Sequence, residues 1–187
     1  VEPDTSNLET FSHRFYELLL RASTEFETNS KYILCANGYT KKDYCINDYC
    51  KIAQVSHLQG YEVIYENWRG GPYSFKPFDS WSESHPLEWY KNYNTVKHNR
   101  EQEFELANLK NTLHAVAGVF VILFSQFGLN TNWKDSSLEF AIGEGFRSTH
   151  NIFAVKPPID WDSDNCYTFD WEAIKNQEDP FARYSFK

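Results

Sequence analysis

Apolar residues recur at alternating spacings of three and four toward the middle of the chain, which is the pattern of one face of an α-helix. This apolar stripe consists of Leu106, Leu109, Leu113, Val116, Phe120, Leu123 and Phe127. From Ala115 to Phe124 the other helix faces turn apolar as well, so this half is predicted to be almost wholly buried. We therefore predict one long central helix over about 94–127, on the order of 50 Å in length at about 1.5 Å per residue.

Two further helices are predicted nearer the N-terminus. Ser6 and Glu9 form a capping-box pattern, and apolar residues then recur at helical spacing, which predicts a helix over about 7–27. A second helix is predicted over 43–58, although tyrosine and isoleucine mixed with Asn and Gly leave helix and short strand both open around it. A last short helix is predicted near 170–177. The expected fold class is mainly α, a helical bundle around the central helix.

The stretch 67–89 is predicted to be a long loop, because glycine and proline interrupt any regular element. Its interrupting residues are Gly70, Gly71, Pro72, Pro77 and Pro86, and its large rings are Trp68, Tyr73, Phe75, Phe78, Trp81 and Trp89. So many rings are typical of a loop that packs in order on the neighbouring helices. The alternative is an aromatic groove that stacks nucleic-acid bases or another ring-bearing ligand.

Length and charge restrict the class of protein. A chain of 187 residues is expected to form a single domain over 1–187, and an aromatic content of 18% excludes a disordered chain. The net charge of -8 argues against a whole-molecule electrostatic grip on nucleic acid and leaves room only for a local basic patch. The chain has no methionine, which suggests a piece of a longer polypeptide.

The first residues lack the pattern of a signal peptide, and the longest apolar run, Ala115–Phe124, is too short to span a bilayer. We expect a soluble cytoplasmic protein with no membrane partner, and with its four cysteines reduced. Cys45, Cys50 and His57 match no standard zinc spacing and lack a fourth ligand, so neither a metal nor a cofactor is predicted.

A polar face is predicted near the start of the central helix, nearly opposite the leucine stripe. It carries Asn94, Lys97, Glu101, Asn108 and Asn111, with Arg100 at its margin and His98 beside it. Lys and Arg side chains hold phosphate, and Asn side chains bind polar groups, so these seven residues are the predicted ligand-binding site. The alternative is a solvated helix face on which Lys97 and Glu101 form an i,i+4 pair worth a few tenths of a kcal/mol.

Two stretches resemble the helical domains called HEPN, for higher eukaryotes and prokaryotes nucleotide-binding. They are a first helix containing "LLRASTEFE", and "WYKNYNTVKHNR" followed by "ANLKNTLHAVAGVF". The resemblance covers the first helix and residues 86–128, about a third of the chain. More narrowly, the YN-x-VKH-x-R stretch is similar to that of uncharacterised bacterial proteins. It implies a helical bundle, often dimeric, in a superfamily with many metal-independent RNases of toxin–antitoxin and phage-defence systems.

The sequence departs from the catalytic signature of that superfamily, an Arg followed four to six residues later by His. If "KHNREQEF" occupies the motif position, Lys97 replaces the Arg, and Gln102, Glu103 or Phe104 stands where the His belongs. The resemblance then implies a non-catalytic domain that binds nucleotide, RNA or a cognate partner protein, as a homodimer, in bacterial stress or phage defence.

One alternative is a divergent metal-independent endoribonuclease, in which Lys97 and Arg100 hold phosphate and His98 moves protons. A purely structural or interaction domain is the third hypothesis.

Overall fold

The computed structural model describes residues 1–83, 85–127 and 152–158, and the predicted mainly α fold class is confirmed. The helices are α1 (His13–Ala36), α2 (Ile46–Ser56), α3 (Glu88–His98), α4 (Arg100–Glu103) and α5 (Leu109–Phe127). The strands are β1 (Glu62–Tyr65), β2 (Tyr73–Phe75) and β3 (Phe153–Lys156), joined in one antiparallel sheet of order β2-β1-β3. The predicted helix near 170–177 lies outside the described residues.

The core lies between α1 and α5, with α3 packed against both. Phe26 of α1 is fully buried, and the ring of Trp89 from α3 meets it edge-on at 5.4 Å. Ile122 of α5 is also fully buried. Burial of large apolar side chains on three helices is the main stabilising contribution, at roughly 1.5–3 kcal/mol for each side chain.

The predicted single helix over 94–127 is wrong, because the chain leaves helical geometry twice. Asn99 has φ -136° and ψ 50°, which ends α3, and a 3₁₀ turn, Phe104–Leu106, follows α4. Asn108 then begins α5, since its side-chain oxygen accepts the backbone N–H of Asn111 at 2.9 Å. Asparagine is among the best N-cap residues, so it starts a new helix here rather than continuing one.

The first helix starts later and runs longer than predicted. Residues Thr5–Asn7 form a 3₁₀ turn, and α1 begins after Ser12, whose hydroxyl accepts the N–H of Phe15 at 3.2 Å. The capping box predicted from Ser6 and Glu9 is therefore wrong. Ser12 is the N-cap, and α1 continues for 24 residues.

The helix predicted over 43–58 is confirmed as α2. Its start is fixed by Asp48, which accepts hydrogen bonds from Lys41 Nζ at 2.9 Å, Tyr39 Oη at 2.7 Å and the backbone N–H of Cys45 at 2.8 Å. Burial alone would raise the pKa of Asp48, but these bonds outweigh burial and lower it well below its usual range. The carboxylate thus ties the loop between α1 and α2 to the start of α2.

The predicted loop over 67–89 contains more regular structure than its composition indicated. It includes β2 and a 3₁₀ turn, Asp79–Glu83, and α3 begins at its end. Five of its rings are buried: Trp68, Phe75, Phe78, Trp81 and Trp89. The interpretation as an ordered aromatic wrap is therefore confirmed, and the alternative of an aromatic binding groove is wrong, because buried rings offer no face to a ligand.

The prediction that Ala115–Phe124 is almost wholly buried is only partly correct. Ala115, Ala117, Val121, Ile122 and Phe124 are buried. On another face Val116, Val119, Phe120 and Leu123 are half-buried and line a groove of about 750 Å³ between α1, α5 and the start of β3. The exposed Leu18 of α1 and Ile152 before β3 also line this groove. Within the described residues, this face of α5 therefore lines a groove and is not covered by packed protein.

One segment in the described part of the chain, Leu109–Gln126, is apolar and long enough to cross a membrane by length and composition. Its mean hydropathy is 1.2, and 61% of it is buried inside the protein. A core helix passes the same test, so this is weak evidence for a membrane span.

Candidate functional site

The start of α1 and the start of α5 are joined by backbone contacts. Residues 8–12 run beside the turn before α5, with an isolated antiparallel bridge between Phe11 and Asn108. The N–H of Leu109 donates to the carbonyl of Thr10 at 3.0 Å. This pairing holds the first turn of α1 against α4 and so decides which side chains meet there.

Asn108 and Asn111 are wrong as predicted ligand contacts, since only 4% and 3% of them is exposed. Besides capping α5, Asn108 donates from Nδ2 to Glu9 Oε2 at 2.8 Å. Asn111 donates to the carbonyl of Leu106 at 2.9 Å and accepts from Asn92 Nδ2 at 3.2 Å. Both amides satisfy buried polar groups at the break between helices, which is a structural role.

Arg100 meets a group of α1 side chains that lie 84 or more positions earlier in the sequence. Its Nη2 lies 3.1 Å from His13 Nδ1, and its guanidinium carbon lies 4.7 Å from the ring centroid of Tyr16. The ring of Phe104 lies 5.7 Å from the same guanidinium and 4.7 Å from the His13 ring. We call these four residues, with the half-exposed Phe11 that meets Phe104 edge-on, the Arg100 cluster.

As a hydrogen bond, the contact between Arg100 and His13 fits one tautomer of the neutral histidine. A guanidinium carries only donors, so Arg100 donates and His13 Nδ1 accepts. The neutral ring then carries its proton on Nε2. Because His13 and Arg100 are both exposed, the cluster offers the solvent a histidine N–H and the remaining guanidinium N–H groups. All of these are donors, which suits an anionic ligand.

Lys97 and Asn94 belong to a second polar group on α3. Lys97 Nζ donates to Tyr93 Oη at 3.0 Å, and this bond raises the pKa of Lys97. Asn94 donates to the carbonyl of Tyr90 at 3.1 Å, and Tyr90 Oη donates to Glu27 of α1 at 2.8 Å. Burial, followed by the bond to Glu27, raises the pKa of Tyr90. The group attaches α3 to α1 and leaves the Lys97 charge at the surface.

The prediction that Asn94, Lys97, Glu101, Asn108 and Asn111 share one helix face is wrong, because the helix that would align them is broken. His98 ends α3 and Glu101 lies in α4, and both are exposed. Arg100 turns to α1, where it meets His13, a residue that the sequence pattern did not assign to the site. No local pattern links two residues 87 positions apart, so only the tertiary structure identifies His13 as part of the site.

No group of three or more His, Cys, Asp or Glu side chains that could hold a metal ion occurs among the described residues. Cys45, Cys50 and His57 therefore do not form such a group. Cys35, Cys45 and Cys50 are free thiols, and Cys166 lies outside the described residues.

Comparison with known proteins adds no assignment. No protein-family model matches the chain, and no curated protein or solved structure is significantly similar to it. The resemblance to HEPN domains therefore stays a prediction.

Proposed function

We propose that this chain is a non-catalytic helical domain that binds RNA or a nucleotide through the Arg100 cluster. One observation carries the proposal: the exposed Arg100 guanidinium is held over the Tyr16 ring at 4.7 Å, with its Nη2 3.1 Å from His13 Nδ1. An arginine already fixed by an aromatic ring loses less conformational freedom when it binds phosphate than a free surface arginine does.

The rings of the cluster support a nucleotide as the ligand. Phe11 is 49% exposed beside Phe104, so an apolar ring face lies next to the guanidinium. Bases stack on aromatic side chains, with a contribution of about 1–3 kcal/mol per base. A phosphate on Arg100 and a base on Phe11 together match the chemistry of one nucleotide unit.

Charge limits the size of the ligand. The net charge is -8, and two exposed carboxylates, Glu17 and Glu101, directly follow the cluster residues Tyr16 and Arg100 in the sequence. A surface that carries both positive and negative charges cannot neutralise a long phosphate backbone. The proposed ligand is therefore a nucleotide or a short stretch of RNA, held by one or two phosphates.

Fluorescence anisotropy with a labelled oligoadenylate of about ten nucleotides, and competition by ADP, tests this function. The Arg100→Ala variant is expected to bind about tenfold more weakly, in line with the loss of one charge-assisted contact. Lys91→Ala is the matched control, because Lys91 is an exposed cation on α3 outside the cluster and its loss changes the net charge equally. Undetectable binding by the parent, or equal losses in both variants, would contradict the proposal.

A divergent endoribonuclease is the second candidate. The contact of His13 with Arg100 supports it, with His13 in place of His98, the histidine predicted from the sequence. An Arg and a His side by side are the pair that RNA cleavage needs to hold phosphate and transfer a proton. Incubation of RNA with the parent in EDTA is the test. If the parent cleaves RNA and His13→Ala does not, the protein is a nuclease rather than a binding domain. If only His98→Ala loses the cleavage activity, the catalytic site lies at the end of α3.

The wider setting is proposed on the resemblance to HEPN domains only. It comprises a cytoplasmic bacterial protein of stress or phage defence that acts as a homodimer or with a cognate partner protein.

A further inference from the structure

We propose that Phe11 makes the site specific for unpaired nucleotides, because the base of a single strand stacks on the Phe11 ring while Arg100 holds the phosphate. This inference rests on the proposed function and adds the class of ligand, which is single-stranded rather than paired RNA. The starting observation is that Phe11, a large apolar side chain, is 49% exposed. Its ring meets that of Phe104 edge-on, with 5.8 Å between centroids and an interplanar angle of 84°.

The backbone that carries Phe11 is anchored to the turn before α5. Phe11 forms an isolated antiparallel bridge with Asn108. The N–H of Ser12, the next residue, donates to the carbonyl of Ala107 at 3.4 Å, and Ser12 is also the N-cap of α1. The ring therefore stands on a fixed backbone, which reduces the conformational entropy lost when a ligand binds.

Phe11 and Arg100 border the same ring. The Phe104 centroid lies 5.8 Å from that of Phe11 and 5.7 Å from the guanidinium carbon of Arg100. The other large hydrophobic side chains exposed in the described part of the chain are Val1, Leu18, Tyr32 and Ile152. Tyr32 is the one aromatic residue among these four, and it lies near the other end of α1. Of these exposed rings, only Phe11 thus combines a stacking surface with the Arg100 guanidinium.

A base inside a duplex cannot use the Phe11 ring. Neighbouring bases cover both of its faces, and only its edges are open to the grooves. A phenylalanine side chain has no donor or acceptor with which to read an edge. A paired base must first leave its stack, and this cost offsets the stacking energy that one aromatic side chain supplies. A duplex is therefore left with the phosphate contact of Arg100 alone.

Competition against the labelled oligoadenylate in fluorescence anisotropy tests this selectivity. The competitors are the unlabelled oligoadenylate, a blunt RNA duplex, and the same duplex with an oligoadenylate overhang. We expect the duplex with the overhang to compete like the single strand, and the blunt duplex to bind about tenfold more weakly or less.

The Phe11→Leu variant keeps an apolar side chain but removes the ring. Its affinity for the single strand should fall about tenfold, while its weak binding of the blunt duplex should stay unchanged. Tyr32→Leu is the matched control, because Tyr32 is a 69% exposed ring of α1 outside the cluster, and it should bind both ligands like the parent. Chemical denaturation shows whether each variant keeps the fold.

A strand of abasic sugar phosphates gives a second measurement that needs no variant. It carries the same phosphates as an oligoadenylate of equal length but no bases, so the parent should bind it about tenfold more weakly. Equal affinity for the two strands, equal affinity for blunt duplex and single strand, or equal losses in Phe11→Leu and Tyr32→Leu would overturn the inference. The binding function would still stand if Arg100→Ala weakened binding in the same assay. Undetectable binding of every competitor and of the labelled strand would overturn both.

Discussion

Two histidines of this protein show how the surroundings decide what a residue does. His13 is exposed and accepts a hydrogen bond from Arg100, so it is available to a ligand. His114 of α5 lies against the Phe75 ring, with 4.6 Å between ring centroids. Burial, followed by the charge of Lys110, lowers the pKa of His114 to about 4. His114 therefore stays neutral at neutral pH and makes stability depend on pH.

Acidification should destabilise the fold through His114. The folded-state pKa of about 4 lies below the usual 6.5, so between these values the unfolded chain binds a proton that the folded chain does not. The contribution of His114 is complete above pH 6.5 and falls as the pH drops toward 4. From pH 7 to pH 5 this loss amounts to about 2 kcal/mol.

Urea denaturation of the parent and of His114→Gln at both pH values measures this contribution. The parent should lose about 2 kcal/mol more than the variant between the two pH values. His85→Gln is the control and should show the same pH dependence as the parent. Parallel curves for all three proteins would contradict a neutral His114 packed against Phe75.

Asn108 controls the most consequential element boundary, the start of α5. Asn108→Ala removes the cap on Asn111 and the hydrogen bond to Glu9, and we expect unfolding to become about 1–2 kcal/mol easier. Asn108→Ser retains a capping hydroxyl but is too short to reach Glu9, so it should lose less. Chemical denaturation of both variants checks the order. A loss below about 0.3 kcal/mol for Asn108→Ala would indicate that α5 does not depend on this cap.

Helix content was predictable at the scale of elements, whereas helix ends were not. The helices α5 and α2 are confirmed, but most of the predicted apolar stripe on α5 is half-buried beside the groove, and other residues of α5 form the core. The break at Asn108 was missed because the apolar stripe runs from Leu106 across it, and the stripe outweighed the turn preference of asparagine. The break at Asn99 lies before the stripe begins and was missed because the polar face was extended through it. Asn108 three residues before Asn111 was the available signal, since asparagine is favoured as an N-cap and is a mediocre residue inside a helix.

Long-range packing limited the prediction of the site. Arg100 was identified from its residue type and neighbours, but His13, Tyr16 and Phe104 join it through the pairing of residues 8–12 with the turn before α5. That pairing depends on contacts between distant parts of the chain, which no spacing rule describes. The error over Asn108 and Asn111 has the same origin, because one unbroken helix would have placed them on the exposed face.

At the scale of the whole molecule, the described residues form two surfaces that are candidate ligand sites. One is the Arg100 cluster, and the other is the apolar groove between α1 and α5. The first offers donors and an exposed ring, and the second offers aliphatic and aromatic carbon with Arg21 and Glu25 at its border. Phosphate requires hydrogen-bond donors, so the Arg100 cluster is the proposed nucleotide site.

NMR titration of isotope-labelled protein with the oligoadenylate tests this assignment most directly. We predict dose-dependent chemical-shift changes of the His13 ring, the Arg100 side-chain N–H and the Phe104 ring, and we predict that these changes become smaller as the salt concentration is raised. Leu18 and Leu123 in the groove should stay unchanged in the same spectra. Chemical-shift changes confined to the groove, or spectra that do not change at high oligoadenylate concentration, would contradict nucleotide binding at the Arg100 cluster.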